Sequence, residues 1–552
     1  MQAKSTVHSP RETPQLLDVD LCVYGGTSGG VVAAIAAKQQ GRTVVLIEPG
    51  RHLGGMTSGG LGLTDHGCKE AIGGLSREFY QRLAEYYSQS GSPLTDHELG
   101  LGWTHEPHVA ENIFNDWISE NNIPVVFEHR VASGVVQNGR LHSITLDHAP
   151  PDERGAPTAA PLRSDAMRIQ ASLFIDASYE GDLMACAGVG YTRQRESREQ
   201  YGESLAGVRF KPYGVLVNPY LRAGEPESGL LPLIQAGCGG REGDASDEIQ
   251  AYNFRLCLSK ENMRPMAPPE NYDSLRYEIF GREICAHAGQ RNPLLPRQFY
   301  HPPVGHPWVH PRMLKMSPMP GGKTDVNNCG GSTDFIGGGS TLYPEANWAD
   351  RAKIWHDHED YIRGLFHFLR TDKRVLPETR TEVAKWGLPE DEFQDSGGWP
   401  HQLYVRESRR MLGEYVMTQA DCERPTLSDS IGMGSYALDS HMCQRLAADG
   451  QVIFEGGFFF LLPGPYPIAY KSLCPRRDEC QNLLVIFCLS SSHAAYSSLR
   501  MEPVLMILGQ SAAVAACEAI EQQTPVQDID VPLLQRRLRA AGQILECPDA
   551  IE

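Results

Sequence analysis

A chain of 552 residues is longer than one hydrophobic core supports, since cores stop growing near about 250–300 residues, so two domains are expected. The composition is that of a globular protein, 41% apolar and 21% charged, and a formal charge of −18 disfavours nucleic acid or an anionic membrane as partner. No stretch approaches the roughly 20 apolar residues of a membrane span, and the cysteines, with no CxxC pair and no zinc spacing, read as reduced and mostly buried thiols of a cytoplasmic protein.

Residues 1–15 are polar and proline-containing, lack the apolar core of a signal peptide, and read as a disordered lead-in. The run Leu21-Cys22-Val23-Tyr24 closes a buried parallel strand over 16–24. The turn Gly25-Gly26-Thr27-Ser28-Gly29-Gly30 then opens a small-residue helix over 31–40, followed by a second strand over 43–48. In such a unit the first glycine makes the tight turn, and the last, Gly30, lets helix and strand pack closely. The helix N-terminus then faces a pyrophosphate. Thr27 replaces the middle glycine of the plain GxGxxG pattern, whereas Glu48 stands where an acid accepts hydrogen bonds from ribose hydroxyls.

A second glycine cluster, Gly54-Gly55-Met56-Thr57-Ser58-Gly59-Gly60-Leu61-Gly62, follows almost at once. A nicotinamide-binding domain runs from its second strand straight into the next helix. A long glycine loop at this point instead lets backbone N–H groups approach an extended cofactor, which favours FAD over NAD. No strand–helix pair frames this cluster, so it is not a second dinucleotide motif.

Helices are expected over 74–87 and 107–121, β-type alternation over 125–147, a proline-rich hairpin tip over 149–161 and a strand over 169–176. That strand ends in Asp176-Ala177-Ser178, with Gly181-Asp182 beyond. This is where an FAD fold passes beneath the adenosine half, although Asp176 and Asp182 could equally cap the next helix. Residues 193–400 are less regular, rich in Pro, Trp, His and Tyr, with one clear helix over 348–369. They read as an α+β substrate domain inserted into the nucleotide fold. The α/β pattern returns over 401–525 as a strand (482–489), a polar loop (490–498) and a small-residue helix (501–522). The fold class is therefore α/β: a Rossmann-type FAD-binding domain assembled from 16–192 and 401–525 around the insertion.

These motifs, with Ile47-Glu48-Pro49, Asp176–Leu183, Asp325-Val326-Asn327-Asn328, Arg406-Glu407-Ser408-Arg409-Arg410 and Ser491-Ser492-His493 through Arg500-Met501-Glu502-Pro503, carry a resemblance. The chain resembles the FAD-dependent oxidoreductases sometimes labelled xanthan lyase-like, distant relatives of the succinate dehydrogenase and fumarate reductase flavoproteins. Thr27 is usual in that family. Phe487-Cys488-Leu489 stands where members often carry glycine and arginine. The resemblance implies that the N-terminus of the last helix, at Arg500 and Met501, points at the pyrimidine edge of the flavin and stabilises negative charge on the reduced ring. Val131, in the alternating segment, completes the expected FAD contacts.

For the chemistry, His493 lies in the loop before that helix and is the leading acid/base candidate, with His66 next. Arg406 and Arg409 can hold a substrate carboxylate or form a salt-bridge network between domains. Asn327, Asn328 and Asp334 offer hydroxyl-recognising amides and a carboxylate, although a role in ordering their loop is the favoured reading. The expected activity is hydride transfer between FAD and a small polar substrate, hydroxylated or sugar-like, with an unspecified electron acceptor. The alternatives are a dehydrogenase or reductase acting on a carboxylate, a polysaccharide lyase, and a flavin-binding protein without turnover.

Overall fold

In the computed structural model the structure describes residues 16–91, 101–159, 167–210, 217–286, 313–329, 331–424 and 427–546. The expected lead-in over 1–15 lies outside the described residues.

Strand β1 (Leu16–Tyr24) is buried over its last four residues and leads through the first glycine turn into helix α1 (Ser28–Gln39). Thr27 caps this helix, its hydroxyl accepting the Gly30 amide at 3.2 Å. Strand β2 (Val44–Glu48), helices α2 (Gly74–Ser90) and α3 (Pro107–Glu120), and strand β3 (Val125–Phe127) follow. Strands β4 (His129–Gln137) and β5 (Arg140–His148) form an antiparallel hairpin, and β6 (Met167–Asp176) returns to the centre. The alternation expected over 125–147 is thus three strands.

The sheet order is β3-β2-β1-β6-β5-β4, and β7 (Leu483–Val485) also pairs with β6. The ten residues of β6 divide their pairing. Its first half bonds β5 antiparallel, from Met167 to Gln170, and its last residues, Phe174 to Asp176, bond β7 parallel. The parallel part reads β3-β2-β1-β6-β7, with the glycine turn at the C-terminal end of β1, where α/β sheets bind ligands. This is an α/β fold with a parallel-rich sheet, consistent with a Rossmann-type FAD-binding domain.

The segment 193–400 carries short two- and three-stranded sheets and helix α4 (Trp348–Thr371). Its buried side chains join those of the main sheet in one contiguous apolar cluster, from Leu21 and Ile175 to Leu256 and Phe368. The residues 149–159 do not project as a free hairpin tip. Arg154 pins them to α4 through Glu359 (2.8 Å) and Asp360 (2.5 Å).

Near the C-terminus the polar stretch expected as a loop over 490–498 becomes helix α5 (His493–Leu499), because Ser492 caps it by accepting the Ala495 amide. Helix α6 (Glu502–Gln522) follows. At 21 residues it is long and apolar enough to cross a membrane, which corrects the expectation that no stretch approaches that length. It is buried from Glu502 to Ala519, so its apolar surface is spent inside the protein. It packs on α1 almost backbone to backbone: a Cβ on Gly29 would lie 2.7 Å from the Leu505 carbonyl oxygen.

Candidate functional site

The C-terminal edge of the parallel strands opens into a cleft of about 1070 Å³, its mouth included. It is lined by Gly25, Thr27, Glu48, Pro49, Gly55, Ser178 and Asp182 from the expected set. Gly25 has φ +103°, and a Cβ there would meet the Ser178 amide nitrogen at 2.7 Å, so only glycine allows this turn against the end of β6. The Thr27 hydroxyl also donates to the Ala177 carbonyl at 2.8 Å, tying the turn to the same strand end.

Glu48 closes one end of the cleft. Its carboxylate accepts the Gly26 amide at 2.6 Å and the Gly50 amide at 2.5 Å, and burial pushes its carboxyl up to about 7. Arg51, His52, Arg130, Trp348, Trp355 and His401 also line the cleft, and none of them was singled out from the sequence. The Val131 amide donates to Tyr24 Oη at 3.2 Å, so this expected cofactor donor is used inside the protein.

Asp176 and Asp182 are engaged by the protein as well. Asp176 accepts the amides of Ser178 (2.9 Å) and Met184 (2.7 Å) beneath the turn. Asp182 opens the short helix Asp182–Cys186 and is held by Arg351 (2.6 Å) and Arg409 (2.7 Å). Burial alone would raise its carboxyl, but these guanidiniums bring it down to about 2. Arg409 therefore serves the salt-bridge network, also reaching Glu345 at 2.9 Å.

Deeper in, Glu502 at the start of α6 accepts three hydroxyls: Ser28 (2.6 Å), Thr57 (2.7 Å) and Tyr179 (2.8 Å). Tyr179 also receives the Met56 amide at 2.8 Å, and the Ser58 hydroxyl donates to the Leu53 carbonyl at 2.5 Å. One carboxylate thus joins the first glycine turn, the second glycine loop and the loop after β6. Phe487 fits this corner by setting its ring edge-on to Tyr179, with centroids 4.6 Å apart. Gly181 leaves room for Cys488, whose sulfur would be 2.9 Å from a Cβ there.

The second glycine loop runs from the cleft at Gly55, past the buried Leu61, to a buried polar cluster. At Gly60, with φ +118°, the backbone touches the Arg255 carbonyl so closely that no side chain fits. The segment 402–406 makes the same passage, with Gln402 in the cleft and Tyr404 in the cluster. Arg406 lies 4.6 Å over the Tyr404 ring, and Arg500 donates to the Tyr404 hydroxyl at 3.0 Å. Arg255 pairs with Asp325 at 2.5 Å and Arg406 with Asp334 at 2.9 Å; Arg500 faces the Asp65 and Asp439 carboxylates. Every guanidinium is thereby balanced by a carboxylate. Besides Arg406 Nη2 and Asp334 Oδ1, which face each other only as the ion pair, the buried polar atoms here without a hydrogen-bond partner among the described residues include Nε of Arg406, Nε of Arg500 and Oδ1 of Asn253. Buried polar atoms are ordinarily paired, and a polar ligand could supply partners for these. His66 sits beside Asp65 and donates to the Gly67 carbonyl at 2.8 Å. Met501, the residue before α6, is buried beside Arg500.

His493 is placed differently from its expected role. It begins α5, is fully buried, and has both ring nitrogens engaged, Nδ1 with Glu407 at 2.9 Å and Nε2 with Ser440 Oγ at 3.2 Å. Burial would raise the Glu407 carboxyl, but His493 and Arg410 hold it down at about 2. Neither nitrogen is open to a substrate. His493→Ala should therefore lower unfolding free energy by about 1–3 kcal/mol, the cost of an unsatisfied buried group. Urea denaturation measures this, and an unchanged midpoint would contradict a structural role.

A family model described as FAD dependent oxidoreductase matches residues 20–538. No curated protein matches the chain. Among solved structures, the chain is similar to the flavin-dependent brominase Bmp2 at 16% identity and TM-score 0.23, over 32% of this chain and 42% of that one. It is also similar to a geranylgeranyl bacteriochlorophyll reductase-like protein from Thermoplasma acidophilum, at 10% identity and TM-score 0.35, over 96% and 85%. A third is the myxobacterial chondrochloren halogenase CndH, at 16% identity and TM-score 0.23, over 34% and 41%. The match thus spans about two-fifths of the brominase and of the halogenase. With the family model covering nearly the whole chain and the glycine turn, Glu48 and cleft in place, the protein belongs to the FAD-dependent oxidoreductases, an enzyme family whose cofactor is FAD.

Proposed function

We propose that this enzyme oxidises a small hydroxylated, sugar-like molecule by hydride transfer to FAD. In this reading Glu48 holds the ribose, the turn from Gly25 to Gly30 receives the diphosphate, and residues 193–400 with 401–410 form the substrate-binding part. When bound, the flavin supplies a two-electron acceptor. A dinucleotide following Gly55–Gly60 and Gln402–Tyr404 out of the cleft would bring its reactive end to the Tyr404 cluster.

The observation that carries the substrate class is the set of orphaned atoms there: guanidinium donors at Arg406 and Arg500 and an amide acceptor at Asn253. A hydroxyl both donates and accepts, whereas a carboxylate only accepts. The arginines are also already neutralised by Asp325, Asp334, Asp65 and Asp439, which leaves little excess positive charge for an anion. A neutral polyol suits the cluster better than a carboxylate.

Anaerobic mixing with a panel of sugars and polyols should bleach the flavin absorbance, while unsaturated or saturated carboxylates leave it oxidised. NADH and NADPH should leave it oxidised for minutes, because the only dinucleotide motif read in the sequence is assigned to FAD. Reduction by carboxylates alone would reverse the substrate assignment, and bleaching by NADH within a second would remove the nicotinamide prediction.

A further inference from the structure

At one side of the Tyr404 cluster, His441 follows the short strand Leu438–Ser440. Its Nδ1 lies 2.6 Å from the carboxylate of Asp334, the same aspartate that faces Arg406. Asp334 is fully buried, whereas the His441 side chain keeps 16% of its surface exposed. The ring's hydrogen bond among the described residues is made by Nδ1. An ionised Asp334 can only accept, so Nδ1 carries the hydrogen of the neutral ring and Nε2 presents its lone pair. The backbone is fixed on both sides: the His441 amide donates to Gln250 at 3.1 Å, and Ser440 meets His493 from behind.

We propose that His441, oriented by Asp334, is the proton acceptor for substrate oxidation in this enzyme. The assignment rests on the reading of the Tyr404 cluster as a site for a hydroxylated substrate. In the step it describes, the substrate O–H bond breaks and its proton passes to Nε2 of neutral His441. As the carbinol C–H bond breaks and a C=O double bond forms, the substrate gives up two electrons, which FAD, when bound, would accept. His441 ends as imidazolium beside the Asp334 carboxylate. Asp334 is a positioning residue, setting the tautomer and favouring the cation that forms.

The charged groups facing His441 are Asp334, Arg406 and Asp439. Burial and the Arg406 guanidinium lower its pKa below the ordinary histidine value, against the raising effect of the two aspartates. The ring is then neutral at pH 7 and ready to accept. Flavin reduction should fall as pH drops through this lowered pKa. Asp334→Asn removes a group that favours imidazolium, so the acid limb should move to lower pH. Arg406→Gln removes a group that disfavours it, so the limb should move to higher pH.

The test has two arms. In the first, flavin reduction by whichever polyol reduces the wild type is followed by stopped flow across pH. His441→Gln should retain FAD, slow reduction by about 10²–10⁴-fold and lose the acid limb. Wild-type rates with an unchanged limb would overturn the assignment while leaving the polyol reading intact. If no polyol reduces the wild type, that reading fails, and the second arm judges His441 alone. Diethyl pyrocarbonate, mapped by mass spectrometry on protein stripped of FAD, should modify His441 and spare His493, with the pH midpoint of modification displaced downward in Asp334→Asn. An unreactive His441, or a midpoint indifferent to Asp334, would overturn the proposal whatever the substrate.

Discussion

Glu502→Leu should unfold at markedly lower urea concentration than the wild type and should emerge from gel filtration without flavin. The leucine fits the space of the glutamate stem but accepts nothing, and the hydroxyls of Ser28, Thr57 and Tyr179 all donate to this one carboxylate. A buried donor stranded without a partner costs about 1–3 kcal/mol, so three of them cost roughly 3–6 kcal/mol after partial relaxation. That is a large part of the 5–15 kcal/mol that ordinarily separates folded from unfolded protein. The flavin should go with it, because the same bonds hold the first glycine turn, the second glycine loop and the loop after β6 in register. Glu502→Gln, which keeps one carbonyl acceptor, should fall between the two. A leucine variant with the wild-type midpoint and full flavin content would mean that the three hydroxyls find other partners and that the junction does not depend on Glu502.

Glu48→Arg should abolish FAD retention outright, leaving a colourless protein after purification. Two backbone amides, of Gly26 and Gly50, donate to this carboxylate, and an arginine can accept from neither. The cation would also enter a cleft already lined by Arg51 and Arg130. Glu48→Gln separates geometry from charge. Burial raises the Glu48 carboxyl to about 7, so the apoprotein favours the neutral acid, and the stability it gains from that proton is present at low pH and lost as pH rises through about 7. Ribose hydroxyls donate best to the ionised form, so binding FAD should release a proton and tighten as pH rises through the same range. Glutamine should flatten that dependence. Titration calorimetry in buffers of different ionisation enthalpy reads the proton directly, and full FAD occupancy in Glu48→Arg would show that the carboxylate does not contact the ribose.

The parts of this protein legible in its sequence are those in which cause and effect are neighbours in the chain. The turn Gly25–Gly30 with Glu48 needs only a strand, a tight turn, a helix and a strand, each carried by its own residues, and the structure forms all four as expected. Helices α2, α3 and α4 are likewise set by local periodicity. His493 reads from the sequence as a loop residue because a serine run precedes it, although Ser492 is itself the helix cap. Asp325, Asp334, Arg406 and Arg500 stand out in the sequence, but nothing in it gathers them with Arg255, Asn253, Tyr404 and His441 into one cluster. Its members come from segments near 65, 253, 325, 334, 404, 441 and 500, and what distinguishes them is burial and mutual charge compensation, which spacing does not reveal. His441 and Glu502 illustrate the point: one histidine among 19 acquires meaning from an aspartate 107 residues away, and one glutamate in a helix turn from partners more than 300 residues away.

The divided pairing of β6 and the close packing of α1 on α6 bear on how the protein is made. During synthesis the β1–α1–β2 unit leaves the ribosome early, with one face of α1 still lacking the helix that covers it and the latter half of β6 lacking β7. Both are supplied by the segment 483–522. Contacts of such sequence separation close slowly, because the intervening chain must be ordered first. Until then the unpaired strand edge and the small-residue face of α1 are exposed to association with other chains. If flavin retention depends on Glu502, as the first prediction expects, flavin capture comes only at the end of that process. Flavin retained through purification would therefore also report that the two distant halves of the chain have met.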